Sequence, residues 1–296
     1  MPNLSPLLRR HRALAAIAAF AACGVASAGL PAEAAAQQAA VPGAAPGSAL
    51  TYVDLVELAS AADVVMRAAV TDQAVLKPER APGLGAGQAR LYLETATTAL
   101  LKAPGALGEG NAFLADVPLD ARGKPPRLKK QELLVFAREV PGRPGELQLI
   151  GPAALQPADA ALEARVRAVL TQLAAQSPGP LPTGIRDVIS VPGNLAGESE
   201  TQMFIETAGG TPVSLSVIRR PGMEPVWGVS WSEIVDQSVS APASGTIEWY
   251  RLACHLPREL PRESFLQDDP QSRARANEDY RLILQSLGPC TRTIAG

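Results

Sequence analysis

Cys254, His255 and Cys290 are, by type, the residues of this chain most suited to chemistry. A cysteine followed directly by a histidine is a poor nucleophile–base pair, because neighbouring side chains on a helix point about 100° apart. The other cysteine-based reading is a bond between Cys254 and Cys290. In an oxidising compartment an even pair is most simply a disulfide, here closing a loop of about 36 residues. His255 is the sole histidine beyond His11, so multi-histidine metal sites and the HExxH pattern are excluded. A Ser-His-Asp triad would have to use this same His255, which reads better as a hydrogen-bonded histidine at a helix C-terminus. No Gly-x-Ser-x-Gly elbow and no Asp-Thr/Ser-Gly motif occurs. These signals predict no catalytic residue, no cofactor and no metal.

Carboxylates supply the remaining route to catalysis. Asp187, Glu198, Glu200, Glu206, Glu233 and Asp236 could pair as general acid and base, or hold calcium, although no spacing among them demands it. Gly83-Leu84-Gly85-Ala86-Gly87 is glycine-rich, but a dinucleotide fingerprint needs a helix next and a strand pattern follows, so a hairpin loop is expected. Two groups suit binding rather than chemistry. Arg122, Lys124, Arg127, Lys129 and Lys130 form a basic, proline-containing loop that could meet an anionic envelope component. Trp227 and Trp231 share a strand face at even spacing; exposed they would form an interaction patch, and buried they are core.

The elements that position these residues follow from hydrophobic periodicity. An amphipathic helix is predicted from Thr51 to Asp63, and a strand from Val64 to Leu76. Further strands are predicted at Arg90–Leu101, Ala112–Val117, Leu133–Ala137 and Leu147–Ile150. Turn-separated strands at this spacing point to an antiparallel barrel or sandwich. Pro157–Leu173 reads as a helix, with Leu162, Val166, Val169, Leu170 and Leu173 on one side. The proline- and glycine-rich run from Ser177 to Pro182 then marks a boundary. Beyond it, strands are expected at Ile185–Val191, Gln202–Thr207, Pro212–Arg219 and Val226–Ser230. Helices follow at Thr246–Leu256, capped by Ser244, and at Arg273–Leu287, stopped by Gly288 and Pro289.

Of the 296 residues, 47% are hydrophobic and only 4% aromatic, so the core must rest on Val, Leu and Ile. The formal charge of −2 gives no reason to expect a nucleic-acid partner. Arg9, Arg10 and Arg12 precede a wholly apolar run from Ala13 to Ala22, followed by the small triplets Ala26-Ser27-Ala28 and Ala34-Ala35-Ala36. That order is the pattern of a cleavable bacterial-type secretion signal over residues 1–36, too short to span a bilayer. Cys23, after Phe20-Ala21-Ala22, also loosely fits a lipid-attachment box. Residues 37–50 read as a flexible tether.

The run Ala62-Asp63-Val64-Val65-Met66, the strand ending Leu100-Leu101-Lys102 and the later Leu134-Val135-Phe136 resemble exported bacterial domains of the OB-like or netrin-like barrel type. Trp249-Tyr250-Arg251-Leu252-Ala253-Cys254, with Leu256-Pro257-Arg258 after it, is similar to a motif of exported proteins without an assigned activity.

Taken together, the chain is expected to be α+β. An antiparallel β-barrel-like module (51–156) is followed by a linking helix (157–177) and an α+β module (181–292) carrying the disulfide. The expected function is a periplasmic or secreted binding or protein-interaction component without catalysis. Its partner would be an envelope protein or an anionic envelope polymer, with no nucleic acid and no transmembrane segment after processing. The rivals are a carboxylate-based hydrolase or carbohydrate-active enzyme in the second module, and an assembly factor tethered by lipid at Cys23.

Overall fold

The computed structural model describes residues 50–175, 179–231 and 240–294. The expected signal and Cys23, and the tether up to its last residue, lie outside them. That last residue, Leu50, is buried, and its carbonyl accepts from the Arg165 guanidinium at 2.6 Å.

The chain opens with α1 (Tyr52–Ala61). Thr51 caps it through a capping box, in which its hydroxyl accepts from the Asp54 N–H while the Asp54 carboxylate accepts from the Thr51 N–H. The last turn of α1 carries no basic residue of its own. Lys102, from a strand distant in sequence, donates to the carbonyls of Ala59 (2.9 Å) and Ala62 there, where the helix leaves acceptors unmet.

Strands β1 (Val64–Val75), β2 (Gln88–Lys102), β3 (Gly110–Pro118), β4 (Glu132–Glu139), β5 (Glu146–Leu149) and β6 (Leu155–Pro157) form one sheet in the order β1-β2-β3-β5-β4-β6. A further antiparallel pairing of β1 with β4 closes β1 to β5 into a five-strand barrel. The expected barrel is therefore present, with one departure: β3 and β5 run parallel. Alternation dictates its inside. In β3, Asn111, Phe113, Ala115 and Val117 are buried, while Leu114 and Asp116 point out. Strand β4 is buried on both faces. Leu133, Val135 and Ala137 fill the barrel, whereas Leu134 and Phe136 pack outward against α1 and α2 (Ala160–Ala174). Two-sided burial explains its unbroken apolar run. Asp159 caps α2, accepting from Ala161 and Leu162.

The second sheet is antiparallel, ordered β10 (Val226–Ser230), β9 (Val213–Arg219), β8 (Ser199–Thr207) and β7 (Pro182–Pro192). Its inner face (Val188, Met203, Leu215, Val217, Trp227) packs on α3 (Ile247–His255) and α4 (Pro270–Leu287), with Val53 of α1 joining the same core. The cap of α3 is Thr246, whose hydroxyl accepts from the Trp249 N–H at 3.2 Å, and not Ser244. The helix begins three residues after Ser244, too far on for that side chain to serve its first turn. Likewise α4 starts at Pro270 behind an Asp269 cap, a little before the expected Arg273. A buried carboxylate fastens α4 to the sheet: Asp279 accepts from Arg219 Nε at 2.6 Å and from the Thr201 hydroxyl, and Thr201 also meets Ser190 at 2.8 Å.

Cys254 and Cys290 form a disulfide with Cα atoms 5.1 Å apart, joining the end of α3 to the segment just past α4. Among the described residues no helix is long and apolar enough to cross a membrane.

Candidate functional site

The barrel is joined unevenly. Strand β3 pairs with β2 along its whole length, from Gly110 to Pro118. On its other side it pairs with β5 only at Ala112 and Phe113. Strand β5 is four residues long and turns away to β4, so the seam opens beyond Phe113. A groove of about 1290 Å³ lies there and continues across the outer face of β2 and β3. Its floor includes barrel-core residues Phe113, Val117, Leu147 and Leu155, all of them buried.

Cross-strand register sets the outer wall. Ala74, Tyr92 and Leu114 stand side by side on β1, β2 and β3, giving an apolar row in which Tyr92 is 39% and Leu114 46% exposed. Beside that row Arg90 faces Asp116 and donates to both carboxylate oxygens, at 2.6 and 2.8 Å. This paired guanidinium holds the Asp116 carboxyl below the usual carboxylate range. Arg90 also donates to the Pro82 carbonyl at 3.1 Å, which pins the β1–β2 loop over the groove.

The rim is basic. Lys77 and Arg80 line the groove from the β1–β2 loop and make no ion pair among the described residues. Arg143 lines it from the β4–β5 turn and pairs with the exposed Glu146 at 3.1 Å.

The sequence-predicted basic loop sits at the barrel end where β1 finishes and β2 begins, the end that carries Lys77 and Arg80. It is an ordered structure. Leu128 plugs the barrel, Gln73 donates to the Pro126 carbonyl at 2.8 Å and accepts from the Leu128 N–H at 2.7 Å, and Asp120 accepts from the amides of Arg122 and Lys124. Lys130 takes a positive φ of 71° to hydrogen-bond Val70 across the loop's end. Arg122, Lys124, Arg127, Lys129 and Lys130 are all exposed, and Lys129 pairs with Asp72 at 2.7 Å.

The other sequence candidates are not brought together. Trp227 is 7% exposed inside the second core, and Trp231 packs half-buried against the same core. Glu198 closes its own hairpin loop by accepting from the Leu195 amide, Glu200 accepts from Gln202, and Asp187 pairs with Arg186. Glu233 and Asp236 lie outside the described residues. Among the described residues no three His, Cys, Asp or Glu side chains converge as a metal site requires. The groove residues Lys77, Arg80, Arg90, Tyr92, Leu114 and Asp116 were not singled out by sequence. The available signal was the alternation of Arg90, Tyr92 and Glu94 with the buried Leu91 and Leu93.

His255 ends α3, with its ring edge-on to Tyr250 at 5.4 Å. Its Nε2 is buried without a partner among the described residues, which differs from the hydrogen-bonded role expected of it. Burial, then Arg292, and lastly Arg251 push its pKa down, with Glu57 opposing. The unfolded chain therefore binds this proton more readily than the fold does. Stability is complete above about pH 6.5 and falls as pH drops below it. Replacing His255 with Phe should flatten the fall in melting temperature between about pH 7 and pH 5. An unchanged slope in paired thermal melts would count against it.

No protein-family model matches the chain, and comparison with curated proteins finds no match.

Proposed function

We propose that this chain is an exported binding component of the cell envelope that holds an extended anionic partner in the barrel groove. The carrying observation is the groove itself: it follows a seam where β3 and β5 pair at only two positions, and Lys77, Arg80 and Arg143 rim it. An apolar cleft with a few convergent polar groups is the default form of a recognition site. Small OB-type barrels present this part of their surface, the face of the second and third strands, to ligands. The basic end formed with the β3–β4 loop adds long-range attraction that would raise the encounter rate with an anionic chain. Export rests on the signal-like residues 1–36 and is supported by the disulfide, a bond that persists in oxidising compartments.

Polyglutamate is a suitable probe, titrated by calorimetry. We expect binding that weakens on the order of tenfold from low to physiological salt, because exposed charge pairs are screened over about 8–10 Å. The charge-reversed variant Lys77→Glu/Arg80→Glu/Arg143→Glu should lose binding while keeping its melting temperature, since none of the three is buried. Equal binding by this variant would move the site elsewhere, and absence of any binding to the native chain would remove the reading.

A further inference from the structure

The groove has a backbone feature that side-chain chemistry alone leaves unexplained. The β2–β3 ladder is anchored at its ends by Leu119 N–H to the Gly87 carbonyl and by Thr97 N–H to the Glu109 carbonyl. In an antiparallel pair, hydrogen-bonded and non-bonded residues alternate. Odd-numbered residues of β3 therefore direct their backbone groups at β2, and even-numbered ones direct theirs across the seam. Ala112 shows this directly, donating its N–H to the Gly145 carbonyl on the far side at 2.8 Å. Two residues on, the pairing with β5 has stopped. The Asp116 N–H and the carbonyls of Leu114 and Asp116 thus face the groove with no strand of the described residues beside them.

Unpaired strand edges invite another chain, and proteins ordinarily blunt them with prolines, charges or a covering loop. Here Pro118 ends the edge, but the stretch before it is open over the groove.

We infer that the β3 edge at Leu114–Pro118 accepts an extended, acidic segment of a partner polypeptide as an added strand, an inference that rests on the groove being a binding site. Strand addition divides recognition in a fixed way: main-chain hydrogen bonds supply affinity, and pockets for alternate side chains supply selectivity. The groove matches both halves. One set of alternate side chains of the incoming strand lies over Val117, Leu147 and Leu155, which favours Val, Ile or Leu there. The other set emerges beside Leu114 and Asp116, within the field of Lys77, Arg80 and Arg143, which favours Glu or Asp. The partner segment is therefore an alternating acidic and β-branched stretch without proline. A polysaccharide or polyphosphate would satisfy the rim cations but leave the strand edge unused.

The test uses the intact chain and a short synthetic peptide of alternating glutamate and valine, with two derivatives N-methylated on alternate residues in either phase. Binding is read by calorimetry, and the edge by amide hydrogen exchange at Asp116. The expected result is that the parent peptide binds and slows exchange at Asp116 by at least about tenfold, one methylated phase binds like the parent, and the other loses on the order of tenfold in affinity. Methylation leaves the protein untouched, so the result does not depend on a variant folding. Equal binding of both methylated phases, or binding without slowed exchange at Asp116, overturns strand addition while leaving the groove as a binding site. Binding of polyphosphate but not of the peptide overturns it also, and identifies the groove as a polymer site. If neither probe binds, the inference and the proposed function fall together.

Discussion

Replacing Asp54 with alanine is expected to lower the unfolding free energy by about 3 kcal/mol. Asp54 is fully buried in the first turn of α1, yet its carboxylate is saturated with donors. It accepts from the Thr51 N–H and hydroxyl at 2.7 and 2.8 Å, from the Thr293 N–H and hydroxyl at 3.0 and 2.6 Å, and from the Ile294 N–H at 3.2 Å. Alanine would leave these half-buried and exposed donors without their acceptor, and each lost partner costs up to about 1–3 kcal/mol. Burial opposes the charge, but the hydrogen bonds from Thr293, Thr51 and Ile294 outweigh it and hold the pKa below the ordinary carboxylate value. The contribution is accordingly present above about pH 4 and lost as pH falls through the depressed folded-state value. Urea unfolding at neutral pH measures the loss. A change under about 1 kcal/mol would show that water replaces the clamp.

Removing the disulfide should match it. Cys254 and Cys290 are separated by 36 positions, for which the chain-entropy model gives about 4 kcal/mol, or a fall of roughly 10 °C in melting temperature for a chain of this size. The Cys254→Ser/Cys290→Ser variant and the reduced native chain should agree. A melt unmoved by either treatment would deny the bond a structural role. The two effects should also overlap. Arg292, adjacent to Thr293, donates to Glu57 of α1 at 2.7 Å and to Cys290 Sγ at 3.2 Å, so bond and clamp hold one segment. Combining Asp54→Ala with the cysteine variant should cost less than the two losses added, by about 1 kcal/mol or more.

Local signals carried much of this architecture. Val213, Leu215 and Val217 alternate with serines, and the structure has β9 there. The apolar spacing of Val166 and Val169 marks the buried side of α2, and the cysteine count anticipated the bond. What sequence did not disclose depends on partners far along the chain. Lys102 looks like the end of a strand, and only folding brings its ammonium to the carbonyls of α1. Asp54 was not singled out by sequence, because Thr293 reaches it only on folding. Strand β6 is three residues long, below the length at which alternation can be recognised. The groove escaped notice for a related reason. It exists because β5 stops after four residues and pairs twice with β3, and register between non-adjacent strands is not written in either strand's own pattern.

The clamp on Asp54 also orders events in time. Its donors include residues 239 and 240 positions further along the chain. At a synthesis rate of about 5–20 residues per second, the helix that opens the described fold waits roughly 10–50 s for them. Until then the only protein donor available to the Asp54 carboxylate among those it uses is Thr51, and water serves it in place of Thr293 and Ile294. A stretch made some 240 residues later is thus the one that lets this helix close.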